Sequence, residues 1–345
     1  METIKKILKI LFPFVLGLGI LWWMYRGTDW SEFWQRVTQE MKWEWMLFSL
    51  VFGVTAQTFR ARRWKLALEP VGEHPRLRTC VDSIFISYAA SLVVPRVGEV
   101  ARCGMLKRKD GTSFTKSLGT VVTERVVDSL LIMLITAFAL AMQLPTFLKF
   151  LHTSGTSVHG ILARFTQTGY LVTFLCIIAI VVTLLVLIGR YAAFKKGKDI
   201  LLDLKSGVLS LRHVRSLPLY LFYSVGIWVS YFLHFYIAFF CFDFTAHFSP
   251  FTVLLIFCVG SFAVLVPTPN GAGPWHFAVK TMLVIYGVAE IPAVMFALIV
   301  HTIQTFLVVI LGVIGWMDLS FIPTRKKTAE AEKNETTTIN LQTNN

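Results

Sequence analysis

Charge is scarce in this chain. Only 15% of its 345 residues are Asp, Glu, Lys or Arg, while 55% are hydrophobic and the mean hydropathy is +0.64. A soluble globular domain carries about one quarter charged residues, so the composition excludes one and points to a multi-pass membrane protein. Alternating apolar and polar runs are lacking too, which argues against a β-barrel and for α-helices. Cysteine is sparse: Cys80, Cys103, Cys176, Cys241 and Cys258 stand singly, mostly in or beside apolar segments. Without a CxxC pair neither a metal site nor a redox centre is expected, and the thiols read as buried. No GxxxxGK[ST] run offers a phosphate loop for ATP, so no nucleotide or other cofactor is expected. The basic and apolar start, METIKKILKILFPFVLGLGILWWMYR, has no small-residue cleavage site after it, and it reads as a retained anchor.

Long apolar segments are what the chain has in abundance. Six are long enough to cross about 30 Å of hydrocarbon: 7–25, 43–60, 117–142, 168–189, 217–242 and 293–317. The net charge of +13 is concentrated in short loops beside these spans, with no basic domain interleaved with aromatics. That pattern fits the positive-inside rule and excludes nucleic acid as a partner. Lys5, Lys6 and Lys9 put the N-terminus in the cytoplasm, and Arg325, Lys326 and Lys327 do the same for the C-terminus. The loop 26–45, which holds Asp29, Glu32, Glu40 and Glu44, reads as external, whereas 190–215, with seven basic residues, reads as cytoplasmic.

Two apolar segments do not fit simple crossing. Residues 80–95 carry basic residues at both ends, so both ends belong on the cytoplasmic side. The segment 250–288 lies between spans in a way that leaves both its ends outside, and it breaks at VPTPNGAGPW, where three prolines and two glycines stop a helix. Each reads as a re-entrant hairpin, which requires that protein or a wet cavity cover its turn. The expected fold is therefore all-α and polytopic, with about six full spans and two re-entrant broken-helix hairpins in an inverted arrangement. Broken hairpins entering from opposite faces are a pointer to a transport site.

Charged residues at membrane depth define the candidate site. Arg96, Glu99 and Arg102 follow the Pro95 and Gly98 breaks, with Glu99 and Arg102 spaced to pair along a helix. A lipid-binding collar at the interface and an anion clamp both fit that cluster, since Arg grips phosphate bidentately. Glu124, Arg125 and Asp128 lie inside an apolar span, where each ionisable group costs about 2.5–3.5 kcal/mol to insert. Glu124 and Asp128 share one face, and Arg125 can reach Asp128 at i+3. They fit an internally neutralised network or a headgroup site. Arg60, Arg63 and Trp64 in FRARRW read as an interfacial anchor or as part of that site. His276 is the one titratable side chain near the second break, and it reads as a packed histidine or a relay.

The ordered set Arg60-x-x-Arg63-Trp64, Pro95-Arg96-x-Gly98-Glu99-x-x-Arg102, Glu124-Arg125-x-x-Asp128 and Pro267-x-Pro269-x-Gly271-x-Gly273 resembles the lysylphosphatidylglycerol synthase membrane-domain family. That family is the flippase-like membrane half of the bacterial multiple peptide resistance factor. The resemblance covers about residues 5–318 and implies a flippase-type domain over 1–320, followed by a disordered polar cytoplasmic tail over 321–345. It implies location in the bacterial cytoplasmic membrane and a cavity built from the broken hairpins. Two departures stand out. No soluble aminoacyl-transferase domain follows the last span, and His276 occupies the place where the family pattern usually has a glutamate, so lysyl-phosphatidylglycerol is not assumed as cargo.

The expected function is movement of a phospholipid or other phosphate-bearing, lipid-linked substrate across the bilayer. Expected partners are membrane phospholipids, a second copy of the chain and a separate lipid-modifying enzyme. An integral-membrane enzyme using Glu99, Glu124 or Asp128 as general base, and a non-transporting scaffold, are the alternatives. The first lacks a nucleophile–base or metal-ligand spacing.

Overall fold

The structure, a computed structural model, describes residues 2–27, 30–94, 97–153, 216–266 and 268–325. Every regular element among them is helical. In chain order they are α1 (Glu2–Tyr25), α2 (Trp30–Gln39), α3 (Trp43–Leu68), α4 (Leu77–Val93), α5 (Val97–Asp110) and α6 (Phe114–Thr153). Then come α7 (Leu217–Ala238), α8 (Asp243–Ala246), α9 (Pro250–Ala263), α10 (Pro274–Ile285) and α11 (Glu290–Phe321). The expected span 168–189 and loop 190–215 lie outside the described residues, as do Pro95, Arg96 and Pro267.

Local chemistry sets several of these boundaries. Ser216 and Ser249 cap α7 and α9, accepting hydrogen bonds from Leu219 N (3.4 Å) and Thr252 N (3.2 Å), with proline in the first turn of each helix. The region 26–45, expected as a loop, contains α2. Its Phe33 and Val37 are buried while Trp30 and Trp34 face outward, so one apolar stripe is enough to fold this short segment against its neighbours. Three described stretches are long and apolar enough to cross a membrane: Phe114–Gln143, Leu217–Cys241 and Glu290–Phe321. Helix α3 is 26 residues long, about 39 Å, but Arg60, Arg62, Arg63 and Lys65 crowd its last third. The four described cysteines, Cys80, Cys103, Cys241 and Cys258, are free and buried.

Both expected hairpins form. Helices α4 and α5 pack on each other, and the base is closed where Asp110 accepts from Arg76 N (2.9 Å) and Arg76 Nε (2.6 Å). The return limb is a regular helix, α5. Helices α9 and α10 pack likewise, with Phe248 against Tyr286 at the base (6.2 Å between centroids). The long helix α11 orients the two. Near its end Asp318 pairs with Arg78 at the start of α4, and at its beginning Glu290 pairs with Lys280 of α10 (2.5 Å). The hairpins therefore enter from opposite ends of a helix about 48 Å long. They meet inside, where α4 touches the Pro269–Gly271 turn.

Two glycines make these crossings geometrically feasible. A Cβ at Gly98 would overlap the Ser87 carbonyl oxygen, so α5 approaches α4 closer than any other residue allows. Gly273, at φ +92°, lets the chain turn into α10 while lying against Gly17 and Ile20 of α1. We expect Gly98→Ala to lower stability by about 1–3 kcal/mol, through forced separation of the limbs. Unfolding in mixed micelles measures it, and an unchanged midpoint would rule out the tight crossing.

Candidate functional site

Spacing along α3, α5 and α6 turns five ionisable side chains into one buried space. Arg60 and Arg63, three residues apart, face the same way on α3. Glu124 and Asp128 do so on α6, and Arg102 reaches in from α5. Asp128 accepts from Arg60 Nη1 at 2.8 Å and from Arg63 Nη1 at 2.6 Å. Glu124 accepts from Arg102 Nη2 at 2.8 Å and, more loosely, from Arg63 Nε at 3.4 Å. None of the five is more than 5% exposed. Aromatic faces complete the lining: the Arg102 guanidinium lies 4.5 Å from the Trp64 ring centroid, Arg63 is 5.8 Å from Tyr220, and Arg60 is 5.9 Å from both Tyr88 and Tyr231. Trp64 is itself fully buried and donates to Thr120 Oγ1 at 3.0 Å.

Of the six residues that the sequence-based expectation brings together, Arg96 lies outside the described residues, and Glu99, Arg102, Glu124, Arg125 and Asp128 are together. Their pairing differs. Glu99 and Arg102 do not pair along α5. Glu99 meets Arg125 of α6 at 2.8 Å, while Arg102 crosses to Glu124. Arg125 also lies 3.8 Å from Asp128. Cross-helix partners win because α5 packs against α6, which sets Glu99 beside Arg125 and Arg102 beside Glu124. Arg60, Arg63 and Trp64 belong to the interior network and form no exposed collar.

Two quantities decide what this arrangement can do. First, three buried guanidinium groups face two buried carboxylates, which leaves one positive charge in excess. Second, Arg60 Nε, Arg63 Nη2, and Arg102 Nε and Nη1 are buried without a hydrogen-bond partner. Buried donors normally find acceptors, so the cluster has unused capacity for an anion with several oxygens.

Beside it lies a cavity of about 420 Å³. Arg125 lines it, as do Gln57 of α3, Tyr88 of the first hairpin, Tyr231 of α7, and Asn270 and Trp275 at the second break. The Tyr88 and Tyr231 hydroxyls are 2.9 Å apart, so these two side chains stand between Arg60 and the cavity. On the far wall His301 donates from Nε2 to the Asn270 carbonyl (3.1 Å), a role assigned from the acceptor-only partner, and Asn270 Nδ2 donates to Thr305 (2.9 Å). The cavity thus spans from the charged cluster to the turn of the second hairpin. Gln57, Tyr88, Tyr231, His301 and Gln304 were not anticipated. One signal was readable: His301, Gln304 and Thr305 form a polar stripe at i, i+3 and i+4 in an otherwise apolar helix.

His276 is 2% exposed and does not line this cavity. Its Nδ1 accepts from Gly273 N at 3.3 Å, closing the first turn of α10, and its ring lies 4.4 Å from that of His301. Pro269, Gly271 and Gly273 form the turn itself. Among the described residues no three His, Cys, Asp or Glu side chains converge to hold a metal.

A model of the family described as lysylphosphatidylglycerol synthase TM region matches residues 10–312. No curated protein and no solved structure matches the chain.

Proposed function

From the premise that the chain belongs to the lysylphosphatidylglycerol synthase transmembrane-region family, we propose that it moves a phosphate-bearing lipid across the bilayer. The observation that carries this reading is the buried excess positive charge, with its unused guanidinium donors, beside a cavity between two opposed hairpins whose mostly apolar wall carries Arg125 and a few polar side chains. A phosphate offers the missing charge and up to three acceptor oxygens. The cavity accommodates the headgroup while the acyl chains stay in the surrounding lipid. Arg125, which belongs to both cluster and cavity, is the first cation a headgroup meets. Arg60 lies behind the Tyr88–Tyr231 pair. Arg96, which falls between α4 and α5 in the sequence, belongs to the same site in this reading. The protein works in the bacterial cytoplasmic membrane with both termini inside, where its basic loops are favoured. It acts as a carrier and not as an enzyme.

Reconstitution tests this. Liposomes holding the purified protein should expose a fluorescent anionic phospholipid to an outside quencher faster than protein-free liposomes do. Equal rates for every anionic and zwitterionic phospholipid tried, with and without a proton or ion gradient, would defeat the proposal.

A further inference from the structure

A second basic cavity stands apart from the central cluster and shares no residue with it. Between the end of α5, the start of α6 and the segment after α11 lies a cavity of about 440 Å³. Lys107, Arg108 and Arg325 line it, and among the described residues no carboxylate does. The acid next in sequence, Asp110, is engaged with Arg76 at the hairpin base. Thr112, Ser113 and Thr115 contribute hydroxyls, and the first turn of the 40-residue helix α6 opens here. Backbone N–H groups in a first helical turn have no intrahelical acceptor, and the helix dipole adds partial positive charge.

The feature that points to a ligand is Thr112. It is 3% exposed, lines the cavity, and its Oγ1 has no hydrogen-bond partner. A buried hydroxyl on a residue that lines a basic cavity needs a partner that accepts or donates, and a phosphate oxygen supplies it. We propose that this cavity binds a phosphate group. The bound anion links three pieces of chain, because Arg325 is already fixed there by its N–H to the Lys109 carbonyl (2.8 Å), with Lys109 Nζ on the Ile322 carbonyl (2.8 Å). It closes the base of the first hairpin onto the segment that follows α11.

Phosphate at this position comes either from an anionic lipid headgroup or from a soluble phosphate, and two titrations separate these sources. The full chain in detergent is titrated with inorganic phosphate against chloride at matched ionic strength, and with dioctanoyl phosphatidylglycerol. Saturable binding in the first arm that weakens about tenfold in Lys107→Gln/Arg325→Gln supports a site open to soluble phosphate. Binding in the lipid arm alone, with the same dependence on the two cations, supports a headgroup site. Thr112→Val keeps every charge and should weaken binding about threefold, so it decides the matter if the double variant fails to fold. Absence of saturable binding in both arms, or affinities unchanged in these variants, overturns the site.

Discussion

Replacing Asp128 with alanine should cost about 3–5 kcal/mol of stability, the penalty for leaving buried charges without their partner. Its carboxylate takes one hydrogen bond from Arg60 and one from Arg63, and without it three buried guanidinium groups confront Glu124 alone. The opposite charge change should be far milder. Arg60→Met leaves two cations against two carboxylates, and Asp128 keeps its shorter bond to Arg63. A buried charge replaced by an apolar chain of similar size is often neutral, so we expect Arg60→Met to cost at least about 2 kcal/mol less than Asp128→Ala. Combining the two should recover part of the loss, with a coupling of about 1–3 kcal/mol in the double-mutant cycle. Unfolding in mixed micelles gives all three values. An Asp128→Ala loss under about 0.5 kcal/mol would mean that water or lipid headgroups already solvate the cluster.

The same asymmetry explains which parts of the site could be read in advance. Glu124, Arg125 and Asp128 stand out because nothing in an apolar span excuses a charge. The hairpins were readable from basic flanks on both sides of 80–95 and from the proline and glycine break before Trp275. Partner choice was not readable. Glu99 and Arg102 have the spacing of a helical pair, yet each crosses to α6, since packing angle and depth are set by distant contacts such as Gly98 against Ser87. FRARRW reads first as an interfacial anchor. Only the tertiary arrangement, with Trp64 buried under Arg102, separates the two readings. Cavity walls made of tyrosine, tryptophan and glutamine are quieter still. Tyr88, Trp228 and Tyr231 look like ordinary membrane aromatics until seven helices and a broken turn bring them around one space.

Arg125→Gln should separate transport from folding. Its side chain is 42% exposed and its partner Glu99 36%, so this ion pair contributes only about 0–1 kcal/mol to stability. The variant should therefore unfold close to wild type. Transport is another matter, because Arg125 is the cation that lines the central cavity. A charge-assisted bond to a phosphate oxygen is worth about 1.5–3 kcal/mol, so losing it from the transition state for crossing should slow translocation roughly 10- to 100-fold. Arg125→Lys restores the charge without the planar fork, and it should recover the rate only in part. The loss should also follow the cargo: large for an anionic phospholipid, and absent for a lipid analogue that carries no phosphate. If Arg125→Gln folds normally and moves every phospholipid at the wild-type rate, the cavity is not the headgroup path. Asp128→Ala cannot give that information, since it removes the structure along with the charge. Arg125 can, because it touches the cavity while contributing little to the fold.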